Sequence, residues 1–278
     1  MKDALGTRMK NFFESRTKTK LIRKCPVVLR LDGKTFSTFT KGFKRPFDED
    51  LIDMMNKTAL FLCKEIQGAK MAYVQSDEIS ILVTDFDKED TQAWFDYSGQ
   101  KMTSVSASFA TSEFNKELLK YYIKKESSDS ELIEKMIDGS VKFANFDSRA
   151  FSVPREVDLI DYFVWRMKDA EKNSISMLAQ SMFSHKTLDG VSGRDKIEMC
   201  KDRGTDWNEL PSSQRLGRII SRKTEWKETE HRIKDEKFDE GTAKTEDGIN
   251  YVLRKVWKVE EETVPFWKEN DMISSVLS

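Results

Sequence analysis

Two stretches decide the fold: Pro26-Val-Val-Leu-Arg-Leu-Asp32-Gly33, and Met71-Ala-Tyr-Val-Gln75-Ser76-Asp77-Glu78-Ile-Ser-Ile-Leu-Val-Thr84. The first is a β-branched-rich strand closed by Asp32-Gly33, a turn signal. The second holds two strands, 71–75 and 79–84, separated by a hairpin-short gap. The gap, Ser76-Asp77-Glu78, lacks the Asn-Gly or Asp-Gly that tight hairpins favour. Acidic residues where a local rule is broken point to function rather than to folding.

Between these stretches, residues 34–46 show no clean period and contain Gly42 and Pro46, which predicts a loop. Asp48-Glu49-Asp50 then open a helix, with negative charge at the positive end of the dipole. Leu51, Met55, Leu62 and Ile66 keep helical spacing, and Gly68 stops it. After the hairpin, a second helix is predicted over 98–124, with Met102, Val105, Phe109, Leu118 and Tyr122 inward. Eight of the ten residues 103–112 are Ser, Thr or Ala, small enough to let this helix lie close against a sheet. Residues 127–130 break the pattern and 131–137 add a turn of helix. Two short strand-like pieces, 143–146 and 150–153, flank Asp147-Ser148-Arg149. The first half therefore reads β-α-β-β-α-β, the order of a ferredoxin-like unit. The fold class is α+β, an antiparallel sheet backed by helices.

Upstream, residues 2–16 read as an amphipathic helix with Leu5, Met9, Phe12 and Phe13 on one side. Downstream, Pro154 marks a boundary between units 1–153 and 154–278. The second unit begins with a long helix, 157–183, carrying Phe163, Trp165, Met177, Leu178 and Met182. A further helix is expected at 195–203, and strands at 218–226 and 251–259 enclose an acidic, Gly-containing loop.

Composition narrows the chemistry. Of 278 residues, 38% are hydrophobic and 34% charged, with 18 Phe and 6 Trp to build a core. No apolar run approaches the roughly 18 residues needed to span a bilayer, so no membrane partner is expected. The N-terminal segment is charged and has no secretory pattern. Cys25, Cys63 and Cys200 are scattered and odd in number, which suits a reducing, cytoplasmic location. With only His185 and His231, His-based zinc sites and Ser-His or Cys-His proteases are disfavoured. The net charge of -1 hides an asymmetry. Residues 1–47 hold 13 Lys or Arg against 3 Asp or Glu, whereas the remainder hold 34 against 45. A basic arm on an acidic chain is a footprint for polyphosphate or nucleic acid, although a solvated basic surface would look the same.

The strand order brings distant acids together. In a β-α-β-β-α-β sheet the first strand lies beside the third, so the end of strand 26–32 meets the hairpin tip. Asp32 then stands near Asp77 and Glu78. Mg²⁺ takes oxygen ligands at about 2.0–2.1 Å and shares them with substrate phosphates. Asp32, the unhindered carbonyl of Gly33, and Asp77 would form such a site, with Glu78 as a supporting or second ligand. Two ions roughly 4 Å apart could clamp both oxygens of a phosphoryl transfer. Taken singly, each acid is more simply a turn residue or a solvated tip; the strand order, the atypical tip and the basic loop together favour the site. Two look-alikes fail. Gly33-Lys34-Thr35 resembles the end of a P-loop, but Val28 stands where the first Gly is needed. Asp85-Phe-Asp87 lies past the third strand, far from Asp32, and reads as a solvated loop.

The same residues carry a resemblance. Arg30-Leu-Asp32-Gly33-Lys34-Thr-Phe36-Ser-Thr-Phe39, Pro46 and Ser76-Asp77-Glu78-Ile-Ser80 are similar to the tRNA-His guanylyltransferase superfamily. The likeness continues through Phe146-Asp-Ser-Arg149, Trp165-Arg166, Asp169, Asn173, Gly204 and Trp207 to Gly217. It implies a polymerase-like palm, with Asp32, the Gly33 carbonyl and Asp77 as metal ligands and Glu78 also essential. It further implies a nucleotide lying along Asp32, Gly33, Lys34, Thr35, Phe36 and Ser37 and against Ser76, with Arg45, Lys101 and Arg149 as basic contacts. Two Mg²⁺ ions, ATP or GTP as substrates, the 5′ end of tRNA as partner and a homotetrameric assembly are implied by the same likeness. The chain departs from the eukaryotic pattern at Glu171-Lys172-Asn173-Ser174, where those enzymes carry His-Ile-Asn-Asn, and at Phe47, where they carry Asn. Both departures resemble the guanylyltransferase-like branch of template-dependent 5′-end repair polymerases. The competing readings are a palm-fold nucleotide cyclase or dinucleotide synthase, and a non-catalytic RNA-binding module using the basic arm.

Overall fold

The computed structural model describes residues 3–125, 129–230, 237, 240–269 and 271–277. Seven strands form one antiparallel sheet: β1 (Val27–Gly33), β2 (Ala69–Gln75), β3 (Glu78–Val83), β4 (Phe146–Ser152), β5 (Arg218–Glu228), β6 (Ala243–Glu246) and β7 (Ile249–Val259). Their spatial order is β4-β1-β3-β2-β5-β7-β6. The first four strands thus stand in the order 4-1-3-2, and the strands of the second half extend the same sheet through the β2–β5 pairing.

Helices cover both faces of the central strands, which is why β2 and β3 are buried on successive residues rather than alternating. On one face lie α3 (Glu49–Glu65) and α4 (Gly99–Lys125), packed on Val27, Leu29, Leu31, Val74, Ile79 and Ile81; the short α5 (Asp129–Ile137) follows α4 in the chain. The other face carries Val28, Met71, Tyr73 and Leu82 against Leu159, Phe163 and Met167 of α6 (Glu156–Met182). Asp48 caps α3, its carboxylate accepting from the Leu51 N–H at 3.0 Å. Gly68 ends the following turn at φ 83°, where a Cβ would stand 2.2 Å from the Thr84 carbonyl oxygen.

Several sequence expectations change. The N-terminal helix, α1, spans only Ala4–Phe12 before a 3₁₀ turn over Glu14–Thr17, and its apolar side chains Leu5, Met9, Phe12 and Phe13 are all exposed. The segment 34–46 is not a plain loop: Phe36–Phe39 form a helical turn, α2, and Thr40–Gly42 a 3₁₀ turn. Phe36 and Phe39 packing on each other and on Phe114 supply the apolar content that the missing period concealed. The inward stripe of α4 is Met102, Ser106, Ala110, Phe114 and Leu118, rotated from the large residues toward the small ones. Val105, Phe109 and Tyr122 pack only at its margin. Ser106 Oγ and Ser148 Oγ lie 2.8 Å apart, a closeness that only small side chains permit. Asp147, Ser148 and Arg149 lie inside β4 rather than between two strands. Asp85 is fully buried, not solvated. Its carboxylate accepts from Arg23 Nε at 2.5 Å and from the Lys24 backbone N–H at 2.8 Å, tying the basic arm to the sheet. Part of the expected loop between β5 and β7 is strand β6, and His231 lies outside the described residues.

Candidate active site

The last residues of β1 and the tip between β2 and β3 meet at one rim of the sheet. Asp32 pairs directly across from Glu78 on β3 and from Asp147 on β4. Strand alternation puts these three on the face toward α6, since Val28 and Leu82 of the same parity pack there. The Gly33 N–H donates to the Asp77 carbonyl at 3.1 Å, which locks the strand end to the tip. Gly33 has a second reason to be glycine: a Cβ there would stand 2.2 Å from the Phe36 ring. Ser76 opens the turn at φ 45°, in the left-handed region that favours glycine. A Ser held there marks a position kept for something other than easy turning.

The acids at this rim do different things. Burial pushes the Asp77 carboxyl above the usual carboxylate range, and the charges of Asp32 and Glu78 push the same way. Hydrogen bonds from its own backbone and from Ser76 oppose them. Glu78 is buried, and Arg166 of α6 closes on both its oxygens, Nε to Oε1 at 2.7 Å and Nη2 to Oε2 at 2.8 Å. Gln75 Nε2 at 3.5 Å and Ser80 Oγ at 3.4 Å complete its surroundings. Glu78 is therefore held by Arg166 at the base of the tip. Among the described residues, neither Asp32 nor Asp77 has such a cation beside it.

Among the described residues, no three His, Cys, Asp or Glu side chains converge as a ready-made metal cage. The donor set nonetheless fits a hard cation. Asp32, Asp77 and the Gly33 carbonyl offer oxygens only, and the mutual repulsion of the two carboxylates is what a divalent ion relieves.

A cleft of about 550 Å³ opens beside this rim, between α3 and α6. Of the predicted residues, Phe36, Ser37, Arg45, Ser76 and Asp77 line it. Phe36 also belongs to the core, stacked near Phe39, Phe114 and Phe146. Lys34 and Thr35 are exposed at the end of β1, outside the cleft lining, and Thr35 takes a left-handed φ of 52° to start α2. Arg149 stands on β4 across from Arg30, 3.8 Å from Asp147. Lys101 is not brought to the cleft. It sits in the first turn of α4, 5.8 Å over the Phe95 ring, near the Val83 end of β3 and opposite the rim of Asp77.

Sequence reasoning gave no place in the cleft to its far wall: Asn173, Ser174, Met177 and Ser181 of α6, together with Gln214, Gly217 and Arg218. The α6 residues recur at helical spacing, a signal that reads as ordinary amphipathicity. Arg166 was visible only as part of a motif; its role needed the packing of α6 on the sheet.

Comparison with known proteins follows the same outline. The family model of tRNAHis guanylyltransferase matches residues 6–154. A solved bacterial tRNA(His) guanylyltransferase-like protein in complex with ATP is similar at 36% identity and a TM-score of 0.77, covering 98% of this chain and 99% of that one. A complex of such a protein with GTP is similar at 34% identity and a TM-score of 0.72, with 99% of both chains covered. A probable tRNA(His) guanylyltransferase of Drosophila melanogaster is 29% identical over 211 residues, 71% of this chain and 67% of that protein. With two acidic motifs meeting at one sheet rim beside a cleft, and with a family match over more than half its length, the chain belongs to the tRNAHis guanylyltransferase family.

Proposed function

We propose that the cleft holds a nucleoside triphosphate with its phosphates toward Asp32 and Asp77, and that the chain extends tRNA 5′ ends there by templated repair. Membership of the family makes the chain a nucleotidyltransferase that adds nucleotides to tRNA in the 3′–5′ direction. The single observation that carries the location is the apposition of Asp32, opposite Glu78, to the Asp77 tip at the edge of the cleft. The strand order 4-1-3-2 with α3 and α4 on one face supports a ferredoxin-like palm as the catalytic unit, residues 1–153. Residues 154–278 complete the cleft through α6 and β5.

The reaction proceeds in two displacements. The 5′-monophosphate oxygen of the RNA attacks the α-phosphorus of ATP, releasing pyrophosphate and leaving an adenylylated end. The 3′-hydroxyl of the incoming nucleotide then attacks the RNA 5′-phosphorus, and AMP departs. Both are in-line phosphoryl transfers that need charge neutralisation and alignment rather than a protein nucleophile. That suits a cleft whose described lining has no His or Cys: the three cysteines are buried and His185 lies outside it. Magnesium, bound by Asp32, Asp77 and the Gly33 carbonyl, would supply charge neutralisation of the phosphates and lower the pKa of the attacking hydroxyl. Arg45 and Lys44 stand exposed on the cleft wall to hold phosphate oxygens, while Ser37 and Ser76 offer hydroxyl donors. Arg166 keeps Glu78, and with it the base of the tip, in place.

The Glu171-Lys172-Asn173-Ser174 and Phe47 departures support repair over single-G addition. No described helix is long and apolar enough to cross a membrane, and a cytoplasmic location is in keeping with tRNA as substrate. The exposed apolar side chains of α1 are available to a subunit interface, and the homotetramer rests on the family likeness. The test is incubation with 5′-labelled, 5′-truncated tRNA, ATP, all four NTPs and magnesium. Extension that follows the opposing strand agrees with repair. Addition of a single G confined to tRNA-His would replace it with the narrower activity.

A further inference from the structure

Arg218 is a buried charge without a counter-ion. It is 4% exposed, lines the cleft, and sits at the start of β5 opposite Val74. Its Nε donates to Asn56 Oδ1 at 2.9 Å and its Nη1 to the Ser213 carbonyl at 3.4 Å, both neutral acceptors. Its Nη2 is sealed from solvent and has no partner, and no described carboxylate forms an ion pair with the guanidinium. Glu49 acts on it only at a distance and is itself exposed, bonded to Gln214. The backbone that carries Arg218 is held firmly. Tyr73 Oη donates to the Leu216 carbonyl at 2.6 Å, and Thr263 Oγ1 donates to the Gly217 carbonyl at 2.8 Å. Gly217 takes φ 80°, and a Cβ there would stand 2.5 Å from the Val74 carbonyl oxygen.

An unpaired buried guanidinium carries a desolvation penalty that neutral hydrogen bonds repay only in part. Burial pulls its pKa down to about 10, still charged at neutral pH. Holding such a group rigidly in a cleft wall is unfavourable unless a ligand brings the missing negative charge. Guanidinium groups meet phosphate oxygens with short, charge-assisted hydrogen bonds.

We propose that Arg218 is a phosphate receptor of the cleft, its guanidinium in the cleft wall meeting the negative charge of a bound polyphosphate. The proposal rests on the reading of the cleft as a nucleotide site. The phosphate would come either from the nucleoside triphosphate or from the RNA 5′ end.

The test uses the full chain and its Arg218→Gln and Arg218→Lys variants. Binding of inorganic triphosphate, ATP, adenosine and a 5′-phosphorylated RNA oligonucleotide is measured by calorimetry, and the ligand-free thermal midpoint is recorded. R218Q is expected to bind inorganic triphosphate at least tenfold more weakly, with adenosine affinity unchanged and R218K intermediate. Because the charge is uncompensated, the ligand-free midpoint of R218Q should stay level or rise. A matching loss for ATP assigns the contact to the nucleotide, and one for the RNA assigns it to the 5′ end. Unchanged triphosphate affinity in R218Q, or a lowered midpoint with binding intact, overturns the proposal and makes Arg218 a structural residue. If wild type binds triphosphate through Arg218 but extends no tRNA, the repair reading fails while this one stands.

Discussion

Arg166 of α6 grips both carboxylate oxygens of Glu78, on the neighbouring strand end, at 2.7 and 2.8 Å, with both side chains about nine-tenths buried. The same guanidinium reaches Asp169 at 3.1 Å and lies 4.4 Å over the Trp165 ring. It is the main polar bolt between the long helix and the hairpin that carries Asp77. Removing one partner of such a pair strands the other charge in the interior, which costs about 3–5 kcal/mol. Arg166→Ala and Glu78→Ala should therefore lower the thermal midpoint strongly. The double replacement should cost less than the sum of the two, and additive losses in a double-mutant cycle would show that the pair is not coupled.

Gly33 is where a side chain cannot go. A methyl group would enter the Phe36 ring, and overpacking of this kind costs about 1–3 kcal/mol. Gly33→Ala should be destabilised, and Phe36→Leu in the same chain should recover part of the loss by trimming the ring. Chemical denaturation of the two variants checks this.

Asp85 anchors the basic arm through Arg23 and the Lys24 backbone. Asp85→Ala should cost about 1.5–3 kcal/mol, the worth of the charge-assisted hydrogen bonds it removes from the exposed Arg23 and Lys24. Trypsin should then cut at Lys20, Arg23 and Lys24 far faster than in wild type, before the sheet itself unfolds. Equal cleavage rates would show that other contacts hold the arm.

The three cysteines are buried, and burial raises each thiol above its usual pKa. A raised thiol pKa means less thiolate at neutral pH, so the native chain should resist iodoacetamide at pH 7.5. All three should react once the chain is unfolded. Rapid native labelling at Cys63, 1% exposed, would contradict the packing around it.

The central strands and the helices α3, α4 and α6 were legible because each announces itself: β-branched runs, the Asp48 cap, long apolar periods. The approach of Asp32 to the Asp77 tip was legible too, since it follows from strand order alone. What stayed hidden depended on contacts between distant segments. Phe36–Phe39 became helical because four Phe rings pack there. Asp85 looked like surface because its partners lie more than 60 residues upstream in the chain. Arg166 and Arg218 reach the site only after α6 and β5 dock on the sheet, and no local pattern distinguishes them from exposed arginines. Lys101 shows the converse: α4 starts at the far end of the sheet, which carries its first turn away from the cleft.

The most direct measurement is the rate of 5′ extension of a truncated tRNA by Asp32→Asn and Asp77→Asn proteins whose circular dichroism and thermal midpoints match wild type. Each should extend the tRNA at least about a thousandfold more slowly at saturating magnesium. A correctly folded Asp77→Asn protein working at the wild-type rate would contradict the assignment of this rim as the catalytic centre.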